Sequence, residues 1–335
     1  MQSGVLACGE LTEEGHLAGT TREYVTVAKK LARELAESVY VAIPGSKARE
    51  YGKEVAKLGV DKVYALENHS LDDPSNFGAY VSAIEQLVKE VQPRVVVTGR
   101  SLVGRDVGPR LAYRLGTDIL QDCVEVWVDE DSKNVVANRP VYGGIAMLTV
   151  EAQGEIQVVA IRPMTFDQAE VEGSAAMVIP FDVRVDDAID QTKLVKREKE
   201  KVAGARLEDA DVVVGGGRGM GGAELFRQLE ELARMLGGAV CASRPPCDAG
   251  WVPASYHIGL TGKTIAPKLY IAFGISGASQ HVAGCSASKT IVVVNKDPEA
   301  HFFEEADYGV KADLKEFLPS FMKNVKKLLS DQDNS

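Results

Sequence analysis

Residues Leu269–Asp297 read LYIAFGISGASQHVAGCSASKTIVVVNKD, and this stretch decides how the chain folds. An apolar run, LYIAF, breaks at Gly274 and passes through a glycine–serine turn. It then opens a short helix at Ser279 and returns as a second apolar run, TIVVVN. Short apolar runs with a turn and a helix between them read as two buried parallel strands joined by a crossover. The expectation is a nucleotide-sized opening between those two strands.

The same alternation continues on both sides. Upstream, DVVVGG at Asp211–Gly216 reads as a buried strand, followed by a glycine loop and a helix at Ala223–Leu236. AVCAS (239–243) is the next strand, closed by Arg244-Pro245-Pro246. Downstream, Pro298–Ala306 reads as a helix with proline in its first turn, and Tyr308–Ala312 as a short strand. Asp313 is an N-cap for a last helix at Leu314–Leu329. Strands alternating with helices predict a doubly wound, mostly parallel sheet.

The N-terminal half has the same rhythm. Val5–Cys8, Val39–Ile43, Lys62–Leu66 and Arg94–Thr98 read as strands; Arg22–Glu37, Lys47–Leu58 and Phe77–Val91 read as helices. GRSLVGRDVG at 99–108 leads into a helix through Leu115, but its glycine spacing matches no phosphate loop and it lacks GK[ST]. It reads as a tight turn with an exposed Arg105/Asp106 pair. From Asp122 to Arg162 four β-rich runs with short turns predict antiparallel hairpins that elaborate the first sheet. Asp182–Asp211 loses periodicity, and its KREKEK run (196–201) reads as a solvated face. The fold class is therefore α/β with two domains: an N-terminal α/β domain over residues 1–200 and a Rossmann-like domain over 205–335. The boundary is expected near Asp190–Arg206.

A formal net charge of −10 over 335 residues, with no basic patch interleaved with aromatics, argues against nucleic acid or an anionic membrane as partner. No apolar run reaches the roughly 20 residues that span a bilayer, so an integral membrane protein is not expected. The N-terminus MQSGVLACGE resembles neither a signal nor a transit peptide, and a cytoplasmic location is the expectation. Five scattered cysteines without CxxC predict neither a disulfide scaffold nor a metal site.

Gly217-Arg218-Gly219-Met220-Gly221-Gly222 satisfies G-x-G-x-x-G after a strand and before a helix, the context of a dinucleotide loop. The acidic residue that NAD recognition wants at the end of the next strand is missing; Ser243-Arg244 stands there. An arginine within the loop suits a phosphate or diphosphate held partly by a guanidinium.

Three segments resemble the alpha subunit of electron-transfer flavoproteins, the FixB family. They are GGGRGMGG (215–222), the run from SRPPCDAGW to SQHVAGC (243–285), and KTIVVVNKDPEAHFFEEADYGVKADL (289–314). VVVTGRSLVGRDVGPRLAYRLG (95–116) is similar to the family as well, so the resemblance spans nearly the whole chain. It implies FAD bound mainly by the C-terminal domain beside a separate beta subunit. The positions it carries over are Arg218, Ser243, Arg244, Ile258, Gly259, Leu260, Thr261, Ser276, Gly277, Ala278, Ser279, Gln280, His281, Asn295, Asp313 and Leu314.

Each implied role has a physical content. Arg244 is a permanent cation beside a flavin that turns anionic on reduction, which raises the potential. The Thr261 hydroxyl suits flavin N5. Glycines at 274 and 277 let backbone approach a ligand, and the helix beginning at Ser279 points N–H groups at it. His281 adds a donor toward the N1/C2 edge, which favours the one-electron-reduced anion. Asn295, Asp313 and Leu314 fall to the adenosine end. One departure stands out: Leu260 occupies a loop position where many relatives have glutamine.

The family implies electron transfer between dehydrogenases, such as acyl-CoA dehydrogenase or a similar flavoenzyme, and an acceptor. A sharper variant is flavin-based bifurcation with NADH and ferredoxin. Competing readings are a stand-alone NAD(P)-dependent oxidoreductase and a non-redox module that keeps a nucleotide as a structural element.

Overall fold

The computed structural model describes residues 3–186 (except 13, 102, 145 and 174), 196, 207 and 210–332. Contacts divide the chain into two compact units, Met1–Val141 with Ala146–Arg197, and Tyr142–Ile145 with Glu198–Ser335. The boundary expected at 190–206 lies outside the described residues, as does the KREKEK run apart from Lys196.

The first unit begins with β1 (Val5–Cys8), α1 (Thr20–Leu35), β2 (Val39–Pro44), α2 (Ala48–Val55) and β3 (Lys62–Glu67). It continues through α3 (Phe77–Val91), β4 (Val95–Gly99) and α4 (Gly104–Leu115). In α1 the spacing of Val25, Ala28 and Leu31 buries one face, and Ala36 closes the helix in a left-handed cap. α3 has the expected span, and the Asn76 side chain starts it by accepting from the Ala79 N–H.

The region after α4 departs from expectation. It forms β5 (Ile119–Cys123), β6 (Glu125–Val128), β7 (Val135–Val141), β8 (Ala146–Glu151) and β9 (Gln157–Ile161). Only β6, β7 and β8 are antiparallel, and they form their own three-stranded sheet. The fourth β-rich run, β9, is a fully buried parallel strand between β4 and β5. After Gln157 its residues VVAI are apolar on both faces, which suits a parallel sheet covered on both sides. A further strand, β10 (Met177–Asp182), pairs parallel with β3 at the sheet edge. Pro180 lies within it, as an edge strand tolerates. The main sheet runs β10-β3-β2-β1-β4-β9-β5.

The second unit contains β11 (Val212–Gly216), α5 (Ala223–Met235), β12 (Ala239–Ala242), α6 (Arg244–Asp248) and β13 (Leu269–Phe273). It ends with α7 (Ser279–Val282), β14 (Ile291–Asn295), β15 (Tyr308–Lys311) and α8 (Leu314–Gln332). Its five strands are parallel in the order β12-β11-β13-β14-β15. Two expectations change here. Arg244-Pro245-Pro246 does not merely close a strand but opens α6, since proline's missing N–H costs nothing in a first turn. The helix expected at 298–306 is a 3-10 turn, His301–Glu305. Among the described residues no helix is long and apolar enough to cross a membrane.

Two buried carboxyls of the first unit, Glu10 and Glu23, are held well above their ordinary range. Glu10 follows β1, and Glu23 in α1 accepts from the Met164 N–H at 2.7 Å. Burial raises both to about 7. The Ser101 and Tyr24 hydroxyls pull Glu10 part of the way back, although its Oε1 has no partner at hydrogen-bond geometry. A carboxyl that keeps its proton in the folded chain but releases it near 4.5 when unfolded stabilises less as pH rises. Stability should therefore fall as pH rises from about 4.5 to about 7, by at most roughly 3 kcal/mol per group. Glu10→Gln should flatten this decline, measured as denaturant midpoints at about pH 5 and about pH 8. A variant whose pH dependence matches the parent chain would remove Glu10 as its source.

Candidate functional site

In a doubly wound sheet, ligands bind at the carboxyl ends of the strands, where the strand order switches direction. In the second unit that point lies between β11 and β13. The Gly217 N–H donates to the Phe273 carbonyl (2.9 Å) and the Gly219 N–H to the Gly274 carbonyl (3.0 Å). A methyl group on Gly217 would stand 2.2 Å from the Gly274 oxygen, and one on Gly274 would stand 2.8 Å from the Gly219 Cα. The two loops pass at backbone contact, and only glycine allows it. The opening expected between the strands of Leu269–Asp297 is not there, because β13 and β14 are hydrogen-bonded neighbours. The free edge lies at their carboxyl ends.

The remaining candidate residues are tied to the same edge. The buried Ser243 N–H donates to the Gly216 carbonyl at 3.0 Å, which holds the end of β12 beside β11. The Asn295 Nδ2 donates to the Ile275 carbonyl at 2.9 Å, and its Oδ1 accepts from the Asp297 N–H. The Ala312 N–H reaches the Asn295 carbonyl, which brings in the end of β15. The Ile258–Thr261 loop is held by the Ile258 N–H on the Ala242 carbonyl and the Leu260 N–H on the Gln280 carbonyl (2.7 Å). Segments far apart in sequence thus meet along one edge.

Individual side chains differ from their expected parts. Arg218 is exposed in the turn after β11. Arg244 is exposed too, with its Nε 3.2 Å from Asp248 Oδ2, a surface pair of small energetic weight. Thr261, Ser276, Ala278 and Gln280 are exposed, Ser279 is half-buried, and the Leu260 side chain is 50% exposed. Gly259 and Gly277 are buried with φ of +143° and +82°. A methyl group on Gly277 would lie 2.3 Å from the Phe302 nitrogen, so this glycine makes room for the chain itself. The helix at Ser279 is a single turn, too short to align a row of peptide dipoles. Asp313 Oδ1 accepts from the Lys315 N–H, and Leu314 packs into the core.

His281 is buried. Its Nε2 lies 2.9 Å from the Tyr270 hydroxyl, and its Nδ1 has no hydrogen-bond partner. Burial pushes the imidazole down to about 4, against a smaller pull upward from the Ile258 carbonyl, so it is neutral. Tyr270, Cys241 and Gly215 escaped the sequence reading. Each sits inside an apolar strand run, and nothing local marks a tyrosine whose hydroxyl will meet a histidine eleven residues later.

The donor set suits a dinucleotide with a diphosphate. Two exposed guanidiniums follow the ends of β11 and β12, the loop after β11 is rich in glycine, and a buried neutral imidazole has one nitrogen without a hydrogen-bond partner. Fold and edge together define a two-unit α/β protein whose second unit is built to hold a nucleotide cofactor.

Comparison makes the class particular. Residues 5–185 match the family model described as "Electron transfer flavoprotein domain", and residues 206–286 match "Electron transfer flavoprotein FAD-binding domain". The chain is 39% identical over 316 residues to the electron transfer flavoprotein subunit alpha of Thermoanaerobacterium thermosaccharolyticum, covering 94% of this chain and 95% of that relative. It is 38% identical to the corresponding subunit of Megasphaera elsdenii, covering 94% of each, and 35% identical to the protein FixB of Clostridium saccharobutylicum, covering 95% of each. The chain belongs to the electron transfer flavoprotein alpha-subunit family, and its cofactor is FAD.

The glycine contact between the two loops has a direct consequence. Gly274→Ala puts a methyl group into Gly219 from a backbone at φ +62°. It should cost about 2–5 kcal/mol, left-handed strain and overpacking combined. Thermal unfolding monitored by circular dichroism checks this; an unchanged Tm would show that the loops can separate freely.

Proposed function

We propose that this chain is the alpha subunit of a heterodimeric electron carrier, in which the carboxyl edge of the second unit holds FAD. The observation that carries the reading is the convergence of Arg218, Ser243, Arg244, Ser276–His281, Asn295 and Asp313 on one edge of one parallel sheet. FAD, once bound, supplies one- and two-electron redox chemistry and makes no bond to the protein. The chain's part is to bind, orient and tune. Arg218 contributes charge and N–H donors to the diphosphate from the glycine loop. Arg244 adds positive potential where reduction places negative charge. Thr261, half-buried Ser279 and exposed Ser276 offer hydroxyls, and Ile258–Leu260 and Gly277–Gln280 offer backbone groups. Asn295, Asp313 and the backbone of Leu314 border the far end, where the adenosine lies.

The first unit packs with a beta subunit, and the complex works in the cytoplasm. Its electrons pass between an acyl-CoA dehydrogenase or similar flavoenzyme and an acceptor. Leu260 in place of a polar side chain leaves that one position only its backbone groups to offer, so the potential differs from that of relatives with glutamine. Bifurcation with NADH and ferredoxin belongs to the same proposal as its sharper form.

Purified with its beta subunit, the protein should be yellow. Two FAD per heterodimer with reduction by NADH supports bifurcation, and one FAD without an NADH response sinks it. Tight nicotinamide binding by a colourless chain would instead favour an NAD(P)-dependent oxidoreductase. Arg218→Ala should lose FAD on gel filtration. Arg244→Ala should keep FAD but lower its potential on the order of tens of millivolts, a modest figure because the guanidinium is exposed. Wild-type flavin content and potential in both variants would overturn the site assignment.

A further inference from the structure

Behind His281 lies a buried hydrogen-bond series that the cofactor reading leaves unused. The Tyr270 hydroxyl stands 2.9 Å from His281 Nε2, and Cys241 Sγ donates to the same hydroxyl across 3.8 Å. All three residues are buried, and they come from β12, β13 and α7. The hydroxyl has a place prepared for it, since a methyl group on Gly215 would lie 2.4 Å from the Tyr270 oxygen. Phe302 closes the far side, its ring edge-on to the imidazole at 5.6 Å. Phe302 in turn sits where Gly277 lacks a side chain.

With the Cys241 thiol as donor to the phenol, proton counting gives this series a direction. Burial raises both the Cys241 thiol and the Tyr270 phenol, so each is neutral and has one proton to give. The thiol proton goes to the phenol oxygen, and the phenol proton to Nε2. Nε2 accepts it only as a bare nitrogen. The neutral imidazole then carries its single proton on Nδ1, the atom without a hydrogen-bond partner.

We propose that Tyr270 is a positioning residue: its hydroxyl, backed by Cys241, locks His281 in the Nδ1–H form and so decides which nitrogen can donate at the FAD site. The inference rests on the reading that His281 serves the flavin, and it adds what sets the proton. Without the lock, an imidazole facing a carbonyl oxygen through the wrong nitrogen presents a lone pair instead of a donor.

The test uses the full-length chain labelled with ¹⁵N-histidine, in the complex it forms on purification, with FAD and after its removal. His281 should show a bare Nε2 and a protonated Nδ1 and should not titrate between about pH 6 and about pH 8. In Tyr270→Phe the Nε2 resonance should leave its wild-type position, FAD should be held about 3- to 10-fold more weakly, and its potential should shift. The other four histidines report whether the variant is folded. A protonated Nε2 in the wild-type chain, or a Tyr270→Phe spectrum with both His281 nitrogens unmoved, overturns the proposal. His281→Ala separates the layers. If Tyr270→Phe moves the tautomer while His281→Ala keeps wild-type FAD content and potential, the lock stands and the flavin role of His281 falls. If His281→Ala loses FAD while Tyr270→Phe changes nothing, the flavin role stands and the lock falls.

Discussion

Gly219 and Gly274 lie so close that neither could carry a methyl group, and the candidate site is arranged around that contact. It exists because β11 and β13 are parallel neighbours, so the loops after them leave the sheet at one edge and meet. Once they meet, the Gly219 N–H and the Gly274 carbonyl satisfy one another, and the turn from Ile275 onward has a fixed starting point. Asn295 then clasps that turn from β14, and the Leu260 loop clasps its far end through Gln280. Each clasp uses a backbone carbonyl that would otherwise be left without a partner near the protein surface.

The two units share a doubly wound plan and differ in what stands at the corresponding edge. In the first, Glu10 and the Tyr24 and Thr20 hydroxyls lie buried after β1 and at the start of α1, with atoms left unpartnered. A methyl group on Gly104 would meet Glu10 Oε1 at 2.9 Å, so this edge is filled by the chain's own polar groups. In the second, glycines and two exposed guanidiniums stand there instead. A buried carboxyl offers nothing to a phosphate, whereas a guanidinium beside free backbone offers charge and donors together. One architecture therefore supports quite different chemistry according to a few residues past the strand ends.

Much of this was legible in one dimension. The period of Phe77–Val91 marks α3, the cap at Asp313 marks the start of α8, and the glycine loop after DVVVGG marks the end of β11. The family was legible by resemblance, because 243–285 and 289–314 are specific strings and not generic strands. Strand pairing was less so. QVVAI at 157–161 follows short turns like its antiparallel neighbours, yet it inserts parallel between β4 and β5. Met177–Asp182 has no clear alternation and becomes a strand only because β3 has an open edge. Partner choice is a long-range matter that local propensity does not encode.

Sequence alone determined most of the elements and the two-domain α/β class, because periodicity, caps and glycine spacing act within a few residues of one another; the family came from the resemblance of specific strings. Tertiary structure decided what each site residue has left to give. Gly277 makes room for Phe302, Asn295 spends its amide on Ile275, and His281 gives Nε2 to Tyr270 and keeps Nδ1. Those assignments depend on burial and on partners brought from other strands, and neither exists until the chain has folded. The stretch Leu269–Asp297 contains both members of the Tyr270–His281 pair, but only the parallel sheet, with Gly215 and Cys241 on adjacent strands, turns them toward each other.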